Sequence, residues 1–208
     1  MHTIEKTVFK FSELSDQAKE RAREWWRQDQ DFDLECTIDD AADVADLFGL
    51  DIRKKTVRLM NGKTRQEPAV FWSGFWSQGD GASFEGSYTY SKGSLDAVKS
   101  YAPQDTKLHA IVQRLQKVQA RNFYRLEADI TQSGRYVHEM TMRFDVSRTD
   151  DRPVSEDDEE ELSDCLRDFA RWIYRELEAE YEYLSSDDVV DEILDVNGYE
   201  FDEDGRRV

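Results

Sequence analysis

Cysteine, histidine and proline are all scarce, at 2, 3 and 3 copies in 208 residues. Two cysteines, Cys36 and Cys165, cannot staple a small secreted scaffold. They read as buried thiols of a cytosolic protein rather than as a bridge. No Cys/His spacing suits zinc, and the chain offers no metal or cofactor motif. His2, His109 and His138 are scattered, and no Ser or Cys stands in a nucleophile setting, so no triad is legible. No apolar run approaches the roughly 20 residues that cross a bilayer. The opening Met1-His-Thr-Ile-Glu-Lys6 lacks the basic-then-apolar form of a signal peptide. A soluble protein without membrane contact is expected.

Aromatic residues are plentiful: 11 Phe, 9 Tyr and 5 Trp are far too many for a disordered chain. The formal charge of −18 is unevenly placed. Residues 150–208 hold 23 of the 46 acidic side chains and only 6 of the 28 basic ones. Such a region repels phosphate and is not expected to bind nucleic acid directly. It suits a basic partner, and proteins that handle nucleic acid are the usual basic surfaces. The alternative is that the acids only confer solubility.

The chain is organised around Val70 to Tyr88. Apolar residues run to Trp76, and Gln78-Gly-Asp-Gly81 supplies a turn tolerant of positive φ. The return strand places Ala82, Phe84, Gly86, Tyr88 and Tyr90 on one face and Ser83, Glu85, Ser87 and Thr89 on the other. Phe71, Trp72, Phe75 and Trp76 put rings on both faces of the first strand, which predicts a central strand covered on both sides. Residues 3–11 alternate like another strand. Ser12 or Ser15 then caps a helix that carries Leu14, Ala18, Ala22, Trp25 and Trp26 at helical spacing.

A second helix is predicted from Thr37 to Gly49, then a basic edge strand over 52–60 whose Arg53, Lys54, Lys55 and Arg58 face solvent or pair with the acidic C-terminus. Leu95, Val98 and Tyr101 mark a short helix ended by Pro103. Thr106 caps another, buried through Leu108, Ile111, Val112, Leu115 and Val118. Residues 124–146 alternate over two strands around Ser133-Gly134, with His138 on the apolar face as a core histidine. Ser155 caps a long helix opening on Glu156-Asp-Asp-Glu-Glu-Glu161 and carrying an apolar stripe of Leu162, Leu166, Phe169, Ile173, Leu177 and Leu184. A last helix spans Asp187 to Val196, and a small hairpin follows around Asp204-Gly205.

These elements predict an α+β fold: an antiparallel sheet with helices packed on it and an acidic C-terminal helical region. The expected division is a core over 1–149 and an acidic region over 150–208 docked on it. The strongest surface feature is the acidic set Glu156, Asp157, Asp158, Glu159, Glu160, Glu161, Asp164 and Asp168. Carboxylates one or two helical turns apart imitate a phosphate row, and a solvated helix face has the same composition. Trp25 and Trp76 are candidate aromatic contacts, and core packing is the other reading of Trp25. Asp80, Glu85 and His138 form the one set that chemistry could use, against a plain turn reading of the Gly-rich loop.

Two stretches carry a resemblance: Phe11-Ser-Glu-Leu-Ser-Asp-Gln-Ala-Lys-Glu-Arg-Ala-Arg-Glu-Trp25 and Phe71-Trp-Ser-Gly-Phe-Trp-Ser-Gln-Gly-Asp-Gly-Ala-Ser-Phe-Glu85. Together with Gly198-Tyr-Glu-Phe201 they resemble small bacteriophage and prophage proteins of unassigned function, loosely labelled antitoxin-like. The resemblance implies phage origin and action in the cytoplasm of a bacterial host, and carries no catalytic residues. The expected function is therefore a non-enzymatic, phage-encoded inhibitor of a basic, nucleic-acid-handling host or defence protein, acting through an acidic, DNA-mimicking surface. An antitoxin-like neutraliser and an enzyme with a site beside the Trp/Gly loop are the alternatives. An exposed Trp25 or Trp76 would also suit a homodimer.

Overall fold

The computed structural model describes residues 7–208. The opening of the strand expected over 3–11, and His2, lie outside them. In chain order the elements are β1 (Phe9–Lys10), α1 (Asp16–Asp29), α2 (Glu35–Leu47), β2 (Leu50–Ile52), β3 (Lys54–Arg58), β4 (Thr64–Pro68), β5 (Val70–Trp72), β6 (Ala82–Phe84) and β7 (Gly86–Thr89). Then come α3 (Ser94–Tyr101), α4 (Thr106–Arg121), β8 (Leu126–Gln132), β9 (Met142–Arg148), α5 (Glu156–Leu184), α6 (Asp187–Val196) and β10 (Glu200–Phe201). The fold is α+β with antiparallel strands throughout. Among the described residues no helix is long and apolar enough to cross a membrane.

Backbone contacts group the chain into two units, one formed by the residues up to Leu34 and from Ala179, the other by Glu35–Glu178. The boundary expected at 149/150 falls inside the larger unit. In the smaller unit Ser15 caps α1, its hydroxyl accepting from Ala18 N. The helix buries Ala18, Ala22 and Trp26 against Phe11, Val190, Leu194 and Phe201. Gly205, at φ +82°, passes so close to α1 that a Cβ there would lie 2.0 Å from the Ala18 carbonyl oxygen.

The larger unit is built on a four-stranded sheet in the order β2-β7-β8-β9. Its buried face comes from alternation: Leu126, Ala128 and Ile130 of β8 are buried, with Tyr88 beside them on β7. Leu108, Ile111, Val112, Leu115 and Val118 of α4 are all buried, as their spacing predicts. So are Leu162, Leu166, Phe169, Ile173 and Leu177 of α5. The cap of α4 is Asp105 rather than Thr106, because the Asp105 carboxylate accepts from Leu108 N at 2.9 Å. The second helix starts at Glu35, two residues before the expected Thr37.

Three strands bend at a common point. Arg53 separates β2 from β3, Ala69 separates β4 from β5, and Glu85 separates β6 from β7. Their backbones close a ring of hydrogen bonds: Arg53 N to Glu85 O (2.8 Å), Glu85 N to Ala69 O (3.0 Å) and Ala69 N to Arg53 O (2.6 Å). Each strand exchanges partners there, which satisfies every backbone group through the bend. Gly86 permits the approach, since a Cβ would lie 2.3 Å from Asp51 O. The basic strand expected over 52–60 is therefore split, and β3 pairs with β4 as a ribbon.

This junction overturns the central-strand expectation for Val70 to Trp76. The strand ends at Trp72 and pairs only with β6. Its rings are accommodated by one another instead: Trp72 stacks on Phe75 at 5.2 Å, Phe75 meets Tyr174 at 5.5 Å, and the Lys55 ammonium sits 4.7 Å from the Phe71 ring. The second hairpin is also looser than its pattern. The return strand starts at Met142, and residues 133–141 form a loop that leaves Tyr136 and Met140 exposed. His138 is not a core histidine on a strand. It is half-buried in that loop, where its Nδ1 accepts from Met140 N. Cys165 is buried but Cys36 is exposed, and neither is bridged.

Candidate functional site

The acidic run opens α5, where Ser155 Oγ accepts from Asp158 N at 3.3 Å. The eight carboxylates singled out from the sequence divide into two sets. Asp158 accepts from Arg121 and Asn122, Glu161 from Arg114, Asp164 from Arg167, and Asp168 from Arg114 and Arg171. Burial opposes ionisation of Asp158, yet the bonds from Asn122 and Arg121 hold its carboxyl below the usual range. Glu156, Asp157, Glu159 and Glu160 are exposed and make no ion pair with the described residues. Among these eight, the open charge lies on the first two turns of α5. Further along, Arg167 and Arg171 interrupt it.

Asp158 joins this acidic end to the corner where α4 turns into β8. Tyr124 N donates to Gln119 O at 2.7 Å and Phe123 N to Ala120 O at 3.2 Å. These are the two bonds of a Schellman cap, whose turning residue is usually glycine. Here Phe123 occupies that place at φ +55° and Tyr124 follows at +61°. Left-handed backbone at a non-glycine residue costs on the order of 1–3 kcal/mol and persists only where the surroundings impose it. The surroundings do impose it. The Gln119 side chain, fully buried, donates to Leu126 O (2.8 Å) and accepts from Leu126 N (3.1 Å), as a neighbouring strand would. Both strained side chains point outward, with Phe123 71% and Tyr124 51% exposed.

Arginines surround the corner. Arg148 grips Asp150 with two bonds of 2.9 Å and donates to Asn122 Oδ1 at 3.2 Å. Arg125 and Arg152 each stand 3.7 Å from the same carboxylate. The hydrogen bond from Arg148 is the main reason that Asp150 ionises at about 2. A carboxyl depressed on folding contributes stability that is complete above its unfolded pKa and is lost as pH falls through the folded one. Between pH 4 and pH 2 the unfolding midpoint of the protein is therefore expected to drop further than that of Asp150→Asn. Parallel pH profiles of the two proteins in denaturant melts would refute this.

The other sequence candidates sit elsewhere. Trp25 is half-buried and packs edge-on against Tyr199 (5.5 Å) and Phe201 (6.0 Å), with the Arg207 guanidinium over it, which makes it a core residue of its unit. Trp76 is 82% exposed, at the tip of the Gly-rich loop. Asp80 accepts from the backbone amides of Trp76 and Ser77, Glu85 from Gln132 N, and His138 from Met140 N. Each of these groups thus has a structural task on a different segment. Three members of the basic cluster take partners before residue 150: Arg53 meets Asp129, Arg65 meets Glu35 and Glu67, and Lys55 donates to Val70 O. Among the described residues no group of three or more His, Cys, Asp or Glu is placed to hold a metal.

The α4–β8 corner went unread in the sequence, although one signal was present. The apolar stripe of α4 ends at Val118 and the alternation read from the sequence starts at Tyr124, with no glycine or proline between them. A tight reversal there has to be made by ordinary residues. A family model described as a domain of unknown function (DUF8835) matches residues 34–187, which include both the corner and the acidic end of α5. No curated protein and no solved structure matches the chain.

Proposed function

The chain belongs to the DUF8835 family, a domain of unknown function, and we propose that it acts by binding another protein through the first two turns of α5. One observation supports this above the others. Of the eight acids singled out, Asp158, Glu161, Asp164 and Asp168 each take an arginine, whereas Glu156, Asp157, Glu159 and Glu160 keep their charge open to solvent. A solubilising surface needs no such separation. Four open carboxylates on two successive turns attract a basic surface at long range and steer it in. The partner in this reading is a basic, nucleic-acid-handling protein of a bacterial host or its anti-phage defence, met in the host cytoplasm. The resemblance to phage proteins supports the setting, and the charge supports the partner's chemistry.

Capture from bacterial lysate with the tagged protein, at low and at about 0.5 M salt, tests the reading. A DNA- or RNA-handling protein is expected at low salt and is released at high salt. Reversing all four open acids to lysine is expected to slow association with that partner roughly 10- to 1000-fold while the protein stays folded, at a melting temperature lowered by the lysines at the positive end of the helix dipole. Glu161 is kept, because it holds Arg114. Capture that ignores the four reversals would overturn the proposal.

A further inference from the structure

Beside the corner lies an open groove of about 330 Å³ walled by Phe123, Arg125, Arg148, Asp150 and Arg152. Three guanidiniums and one carboxylate leave this wall two positive charges, in a chain whose formal charge is −18. The next residue, Asp151, is exposed and outside the lining. The three arginines are not equivalent. Arg148 has only 8% of its side chain exposed and is locked by Asp150 and Asn122. Arg125 and Arg152 are 50% and 72% exposed and stand 3.7 Å from Asp150, beyond a direct hydrogen bond. Their donors are therefore available to an incoming anion, over a charge that Arg148 has already fixed in place.

Phe123 supplies the second element. Its ring lines the groove 71% exposed, on a left-handed backbone held by the corner, with the Arg148 guanidinium 6.0 Å from its centroid. The corner thus fixes an exposed aromatic ring beside the arginines. A planar base can stack on such a face, and guanidiniums are the preferred partners of phosphate oxygens. The volume is within the range of small-molecule sites.

We propose that this groove binds a nucleoside phosphate, with Arg125 and Arg152 taking the phosphate and Phe123 the base. The proposal does not rest on the protein-binding reading above, whose acids lie outside the lining. Calorimetric titration of the full chain with AMP, UMP, adenosine and inorganic phosphate tests it. Saturable binding of at least one nucleotide below about 1 mM is expected, with inorganic phosphate and adenosine each at least tenfold weaker. Arg125→Ala with Arg152→Ala is expected to weaken the nucleotide at least tenfold. Phe123→Gly, which relieves the left-handed strain, is expected to weaken it similarly while holding or raising the melting temperature. Absence of saturable nucleotide binding would overturn the proposal. So would nucleotide binding no tighter than phosphate, or binding indifferent to these substitutions.

Discussion

Phe169→Ala is expected to destabilise the protein by about 3–5 kcal/mol, the largest loss foreseen for any single residue discussed. Phe169 is fully buried on α5, edge-on to Phe48 at 4.9 Å and to Phe84 at 5.9 Å, and stacked on Trp172 at 5.3 Å. One ring thus ties α5 to the end of α2 and to β6. Removing it leaves a cavity bordered by other rings, which cannot collapse onto alanine without breaking their own contacts. Against a typical total of 5–15 kcal/mol, the variant is expected to melt far below the parent. Denaturant unfolding measures this directly. A loss under about 1 kcal/mol would mean that the three rings repack around the gap, contrary to the close-packed core described here.

Gln119→Leu is expected to be nearly as damaging, for a different reason. Leucine fills much the same space, so the core stays packed. What disappears is the pair of bonds from the buried amide to Leu126 N and O. A buried donor or acceptor left unmet costs roughly 1–3 kcal/mol per group, and here two are exposed to that penalty. The same bonds hold the turn in which Phe123 and Tyr124 are strained. Their loss is expected to free the corner, so hydrogen exchange at the Leu126 amide should accelerate well before global unfolding. Unchanged protection at Leu126 would show that the Schellman bonds of Phe123 and Tyr124 suffice to hold the corner.

Local periodicity accounts for what was legible. The stripe of α4 and that of α5 to Leu177 place residues that are buried as expected, and β8 alternates as its sequence does. Such patterns survive because one face of each element meets a core, whatever the core's details. The elements misread are those whose boundaries depend on contacts distant in sequence. Pro68 and Gly86 flank two of the junction residues, but which segments meet there does not follow from them, because the ring joining Arg53, Ala69 and Glu85 is made between segments 16 residues or more apart. Trp72 and Phe75 looked like sheet core since rings usually need one, yet they cover each other.

The site divides along the same line. From the sequence alone come the concentration of negative charge after residue 150, the helix that carries it, and the absence of glycine between α4 and β8. Only the tertiary structure decided which carboxylates remain open, because an ion pair depends on distance through space. Arg114 and Arg121 reach Glu161, Asp168 and Asp158 from another helix. It also decided that three arginines converge on Asp150 beside a strained phenylalanine. Arg125 directly precedes β8 and Arg148 ends β9, and the antiparallel register that sets Leu126 opposite Arg148 is what brings them together.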